Sequence, residues 1–275
     1  MQEDRMTDLR ADETRATVRD HYVKVSTGNA GCAPGCCAVM PVDQSKMLGY
    51  SAEELAGLPA GVDMGLGCGN PQAIASLHVG ETVLDLGSGG GFDCFLAGRA
   101  VGPTGKVIGV DMTAEMVSLA RRNAQKLSAT NIEFRLGEIE HLPVADGTVD
   151  VILSNCVINL SPDKAAVFRD AFRVLRVGGR LAISDVVAIA PIPAALQAEA
   201  AALAGCIAGA AHIDDVRRML AEAGFKSVEI KIAPNSSTIV NSWMDGADQF
   251  IASATIEARR GQEKAAPCCG PSCCT

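Results

Sequence analysis

At 275 residues, 48% of them hydrophobic, the chain is long enough for one packed core domain plus an addition. A net charge of −8 removes the electrostatic case for nucleic acid or an anionic membrane, and 4% aromatic residues argue against a base-stacking surface. Apolar runs are short and broken by charge or proline, so no membrane span is expected. The charge-rich start lacks an apolar leader core, so a cytoplasmic protein is expected.

Residues 3–25 place Val18, Tyr22 and Val25 at helical spacing, which predicts a helix with one face on the main body. GCAPGCC follows as a loop, because glycine and proline break regular structure. Ser51 and Glu54 read as a capping box for a short helix, SAEELAGL. GVDMGLGCGNP is a glycine-rich loop, with Pro71 suited to the first turn of the next helix.

From residue 82 the pattern alternates strand and helix. Strands are expected at 82–86, 106–111, 132–136, 149–154 and 180–186. A helix over 114–127 has Thr113 as its cap and Met116, Leu119, Ala120 and Leu127 on its apolar face. Another over 162–175 has Ser161 as cap, Phe168 and Phe172 inward, and Gly178-Gly179 as stop. Such alternation predicts an α/β fold with a parallel sheet covered on both faces. Beyond it come an alanine-rich helix over 194–211, a helix over 214–223 stopped by Gly224, and strands at 227–232 and 250–258. Residues 259–275 read as a disordered tail.

Eleven cysteines are too many for a chain expected in a reducing compartment. There they point to metal or metalloid binding or redox chemistry rather than to structural disulfides. Cys32, Cys36 and Cys37 cluster near the start, and Cys268, Cys269, Cys273 and Cys274 near the end. Cys68, Cys94, Cys156 and Cys206 stand alone. An isolated cysteine after a strand is more often a small core residue than a ligand, and Cys94 is read that way. The four histidines show no metal spacing.

VLDLGSGGGFD sets Gly87, Ser88, Gly89, Gly90 and Gly91 directly after a strand. Glycines there let backbone N–H groups and a ligand approach closely at a helix N-terminus. A dinucleotide site, or a glycine turn kept for packing, is the competing reading. Two acids decide against it. Asp85 precedes the glycines, where a pyrophosphate would be repelled, and Asp111 ends the next strand, where an acid can hold both ribose hydroxyls. A ligand with a cationic amino-acid portion fits, namely S-adenosylmethionine. In GEIEHLP, the backbone and Ile139 are placed to meet an adenine ring, with Glu138 near its exocyclic amine.

Together these elements resemble a Rossmann-like class I methyltransferase with a seven-stranded, mostly parallel sheet. GLGCGNP, SNCVINLSPDK and GCIAGA narrow the resemblance to the arsenite methyltransferase family, over about residues 46–258. The resemblance implies division into an N-terminal helix and Cys-rich loop (1–45) and a cofactor-binding domain (46–188). An appended arsenic-binding segment with closing strands (189–258) and a Cys-rich tail (259–275) would follow. It implies Cys68, Cys156 and Cys206 as ligands of trivalent arsenic, with Cys36 or Cys37 pairing with Cys68 during turnover. The implied cofactor set is Asp85, Gly87, Ser88, Gly89, Gly91, Asp111, Met112, Glu138, Ile139 and Asn155. Implied partners are arsenite or its glutathione conjugate, with thioredoxin or glutathione as reductant. Neither nucleic acid nor membrane is expected, and a monomer is, because no exposed apolar stripe remains. Two rival readings are methyl transfer to an organic carbon or oxygen acceptor, and a thiol-based metalloid-sequestering protein.

Overall fold

The computed structural model describes residues 2–27, 41–194 and 207–261. Among them, seven strands form one sheet in the order β3-β2-β1-β4-β5-β7-β6. The strands are β1 (Thr82–Leu86), β2 (Lys106–Asp111), β3 (Ile132–Leu136), β4 (Val149–Asn155), β5 (Leu175–Ala188), β6 (Lys226–Ile232) and β7 (Ile251–Arg259). The first five run parallel; β7 pairs antiparallel with both β5 and β6.

Both faces of the central strands are buried, and alternate residues explain how. Leu84, Leu86 and Ile152 enter one apolar cluster with Phe168 and Leu220. Val83, Val151 and Leu153 enter the opposite cluster with Phe95 and Val117. That is the period-two signature of a sheet between two helical layers.

The helices are α1 (Gln2–Ser26), α2 (Pro41–Met47), α3 (Ala52–Leu55), α4 (Gln72–Ala75), α5 (Phe92–Val101) and α6 (Ala114–Leu127). They continue with α7 (Lys164–Val174), α8 (Ile213–Ala223) and α9 (Ser236–Trp243). Ser51 and Glu54 form both bonds of the expected capping box. Gly224 closes α8 in the left-handed region. No described helix is long and apolar enough to cross a membrane.

Four differences from the sequence reading have physical causes. Helix α7 is capped by Asp163, whose side chain accepts from Ala166 N. Ser161 is occupied elsewhere, donating to Glu140 Oε1 at 2.7 Å and accepting from Asp163 N. Gly178 and Gly179 do not stop that helix; they lie inside β5, where its register against β4 shifts. Strand β5 has 14 residues, twice the expected 180–186, because Leu175 already pairs with β4 and β7 pairs with it from Arg180 out to Ala188. Helix α9 carries too short an apolar period to read from sequence, yet it buries Ile239 and Val240. The helix expected over 194–211 falls mostly outside the described residues, and the described residues 207–209 form a turn. The tail beyond 261 lies outside them too.

The order reverses between β1 and β4, which are neighbours although two strands separate them in sequence. At such a point the helices after the two strands leave to opposite faces, opening a crevice at the carboxyl ends. Gly87 follows β1 and Cys156 follows β4, so both sit at that crevice.

Candidate active site

A cleft of about 1130 Å³, open mouth included, occupies this edge. Asp85, Gly87, Ser88, Gly89, Asp111, Met112, Ile139, Asn155 and Cys156 line it, as does Arg15 of α1. Two expected members fall elsewhere. Gly91 begins α5 with φ +97°, and a Cβ there would lie 2.7 Å from the Phe95 ring and 2.9 Å from Phe134. Its role is local packing in a backbone region costly for other residues. Glu138 turns away to α1, with Arg15 Nε at 3.4 Å and Arg19 at 3.9 Å. Glu140 takes the inward position, buried and 3.5 Å from Arg15.

One wall is acidic. Burial pushes Asp85 well above the usual carboxylate range, and the neighbouring charges of Asp93 and Asp111 add to it. Burial also raises Asp93, against the hydrogen bonds it accepts from Tyr50, Asn155 and Gln72. Asp111 is raised by burial too, opposed by the amides of Thr113 and Gly89. Cys94 donates to Asp85 Oδ2 at 3.2 Å, so this thiol belongs to the acid network. Its own ionisation is pushed up by burial and by Asp85.

The thiols lie just beyond. Sγ of Cys68, Sγ of Cys156 and a carboxylate oxygen of Asp185 all fall within 4.8 Å of one another, and all three residues are buried. Around them pack Val186, Ile207, Val240 and Ile251, with Trp243, Met244 and Phe250 at the border. Ile207 directly follows Cys206 in the chain. Cys206, Cys36 and Cys37 themselves lie outside the described residues.

Backbone bonds set the position of each thiol. Cys68 N donates to Asn155 Oδ1 at 3.0 Å. Cys156 N donates to the Ser184 carbonyl at 2.8 Å, and Cys68 Sγ donates to the same oxygen at 3.5 Å. Asn155 and Ser184 are register partners of β4 and β5. Cys156 is held at φ +57°, in the left-handed region. For a residue with a Cβ that costs on the order of 1–3 kcal/mol, a strain typical of functional positions. Cys156 borders both the thiol cluster and the cleft.

A methyltransferase-domain family model matches residues 77–224. The arsenite methyltransferase of Halobacterium salinarum is 51% identical over 268 residues, covering 93% of this chain and 68% of its own length. The chain belongs to the arsenite methyltransferase family. The arsenite methyltransferases of Aquipseudomonas alcaligenes and Mus musculus are 37% and 31% identical. They cover 76% and 90% of this chain, which spans 61% and 67% of their lengths. A crystal structure of an arsenic (III) S-adenosylmethionine methyltransferase from Chlamydomonas reinhardtii superposes with a TM-score of 0.58 at 30% identity. The match covers 83% of this chain and 76% of that one.

S-adenosylmethionine is the cofactor of this arsenite methyltransferase family, and the cleft fits it. Buried Asp85 and Asp93 and half-buried Asp111, all raised by desolvation, face a space that a cation would neutralise. Ser88 Oγ is buried there without a hydrogen-bond partner. A polar atom in that state is open to a hydrogen bond from a ligand.

The acidic wall gives opposed pH trends. Folding raises these carboxyl pKa values above their unfolded values. Ligand-free stability is therefore greatest below the ordinary carboxylate range and falls as pH rises through the raised values. A bound cation favours the ionised forms, so protons leave when it binds. Affinity for S-adenosylmethionine, measured at neutral pH and again at a lower pH, should weaken as pH falls through the raised values, by up to about tenfold per pH unit for each proton displaced. Titration calorimetry in two buffers of different ionisation enthalpy counts those protons. Equal affinity at both pH values with no proton release would refute the trend.

Sequence reasoning missed Tyr50, Asp93 and Asp185. Tyr50 donates to Asp93 Oδ1 at 2.8 Å, and burial first, then Asp93, raises its own ionisation. A signal existed for Asp185: it is a lone acid inside the apolar run LAISDVV. Burial lifts it to about 6, against the amides of Val186 and Ile158 and the charge of Lys164.

Proposed function

We propose that this chain transfers methyl groups from S-adenosylmethionine to trivalent arsenic held by cysteine thiolates, giving methylated arsenicals. The observation that carries the reading is the double position of Cys156, in the wall of the cofactor cleft and in a buried pair with Cys68. When bound, S-adenosylmethionine supplies a methyl group on a positively charged sulfur.

The remaining work is done by the protein. Trivalent arsenic is soft, and thiolates hold it in preference to imidazole or carboxylate. The two sulfurs, within 4.8 Å of each other, are near enough to close together on one atom. Cys206 is the third thiol of this reading. Sulfur ligation leaves the arsenic lone pair as the nucleophile, so no general base is required. Alignment is then the main demand, with reacting atoms at roughly 3–3.5 Å. The buried cluster around the thiols keeps water out.

Transfer oxidises arsenic by two electrons. Two thiols return them, forming one disulfide and releasing two protons, and thioredoxin or glutathione reduces that disulfide. Cys68 with Cys36 or Cys37 is the pair proposed. Tyr22 and Ser45, on either side of the segment bearing those cysteines, both line the cleft.

Incubating the protein with S-adenosylmethionine, arsenite and glutathione, and resolving arsenic species by chromatography with elemental detection, tests the reading. Mono- or polymethylated arsenic is expected. Cofactor binding without any methylated arsenic would reject it in favour of an organic acceptor.

A further inference from the structure

The thiol cluster contains an oxygen donor that sulfur ligation leaves unexplained. Asp185 follows Ser184 in β5 and is 3% exposed. Its Oδ1 accepts from Val186 N at 2.7 Å and from Asn159 Nδ2 at 2.9 Å, and its Oδ2 from Ile158 N at 2.9 Å. An ionised carboxylate offers about four acceptor positions. Among the described residues three are filled, which leaves one position on Oδ2, and a carboxylate oxygen of Asp185 lies in the cluster that holds both sulfurs. As an inner ligand a carboxylate would lose to thiolate on a soft centre. Its chemistry suits a hydroxyl instead.

We infer that Asp185 is a further catalytic residue, whose carboxylate accepts a hydrogen bond from the hydroxyl still on arsenic once Cys68 and Cys156 have bound it. The inference rests on the arsenic reading above. Arsenite arrives as arsenic bearing three hydroxyls. Two thiols displace two of them: two As–O and two S–H bonds break, two As–S bonds form, and two waters carry off the protons. Arsenic stays trivalent. One As–O–H remains, polar and inside an apolar cluster that includes Val186, Ile251 and Val240. A buried hydroxyl without a partner is costly, and the vacant position of Asp185 removes that cost. The carboxylate thereby holds the dithiolate stage until a third thiol displaces the last hydroxyl as water.

The test uses two small trivalent arsenicals and needs no methyl transfer. Arsenite keeps a hydroxyl after two thiols bind; methylarsonous acid, with carbon in the third position, keeps none. Affinities are measured for the full-length protein and for Asp185→Asn, both in a Cys206→Ser background that stops at the dithiolate stage. Asp185→Asn should weaken arsenite binding about tenfold or more, as loss of a bond to a charged acceptor requires. Methylarsonous acid binding should change less than twofold. Equal weakening of both would mean that Asp185 only supports the 156–160 turn, and would overturn the inference, as would no change in either. Should Asp185→Asn fail to fold, X-ray absorption of Cys206→Ser with arsenite decides. Two sulfurs and one oxygen on arsenic are expected, whereas an oxygen-free shell refutes the role. A wild-type protein that binds arsenite in this way but forms no methylated arsenic would reject the proposed function and leave the role of Asp185 supported.

Discussion

Cys156→Ser is expected to lower arsenic methylation by on the order of a hundredfold or more while leaving S-adenosylmethionine bound. Serine keeps the size and the left-handed backbone but offers a hard oxygen, which binds trivalent arsenic poorly. Arsenic held by the remaining thiols would sit off the line to the methyl group, and misplacement by about 1 Å alone can cost about a hundredfold. The cofactor should still bind, because the acids, Ser88 and the glycine loop are untouched. Cys94→Ser is the control: Cys94 bonds Asp85 and lies outside the thiol cluster, so arsenite stoichiometry should stay at the wild-type value. Speciation assays and calorimetry on both variants settle the matter. Methylation by Cys156→Ser within threefold of wild type would remove this residue from the arsenic site.

The second large effect is expected from Gly87→Ala. Gly87 has φ +67°, and a Cβ there would stand 2.2 Å from Val157 Cγ2 and 2.9 Å from its Cγ1. The left-handed backbone costs an added side chain about 1–2 kcal/mol. The overlap adds about 1–3 kcal/mol, as overpacking does. Denaturant unfolding should therefore show a loss of roughly 2–5 kcal/mol. Function should fall as well, since Val157 is the residue after Cys156. Removing the obstacle tests the cause: Val157→Ala combined with Gly87→Ala should recover the overlap part of the loss. Strictly additive effects of the two changes would show that the contact does not carry it.

The central fold was legible because it obeys local rules. Strands β1 to β4 begin and end within a residue of the expected limits, since alternating burial and the intervening glycines mark them. The acids at the ends of β1 and β2 were readable for the same reason: their place follows from strand direction alone. The rest depends on partners distant in sequence. Glu138 looked like an adenine contact by its place after β3, but α1 brings Arg15 to it across more than a hundred residues. Ser161 looked like a cap until Glu140 claimed its hydroxyl. Asp185 was visible as an odd acid, but its nearness to Cys68 and Cys156 arises only when β4 and β5 pair and the loop before α4 folds over them. No periodicity reports such meetings.

The two anchors of the thiols have a wider consequence. Cys68 hangs from the side chain of Asn155 and Cys156 from the carbonyl of Ser184, and those two residues face each other across adjacent strands. Neighbouring strands in any sheet lie about 4.7–4.9 Å apart. On the proposed function, the spacing of the two cysteine backbones is thus inherited from sheet pairing and from the Asn155 amide. The sulfurs themselves still swing with their rotamers. A change at either anchor would shift a whole cysteine, whereas a rotamer change would shift only its sulfur.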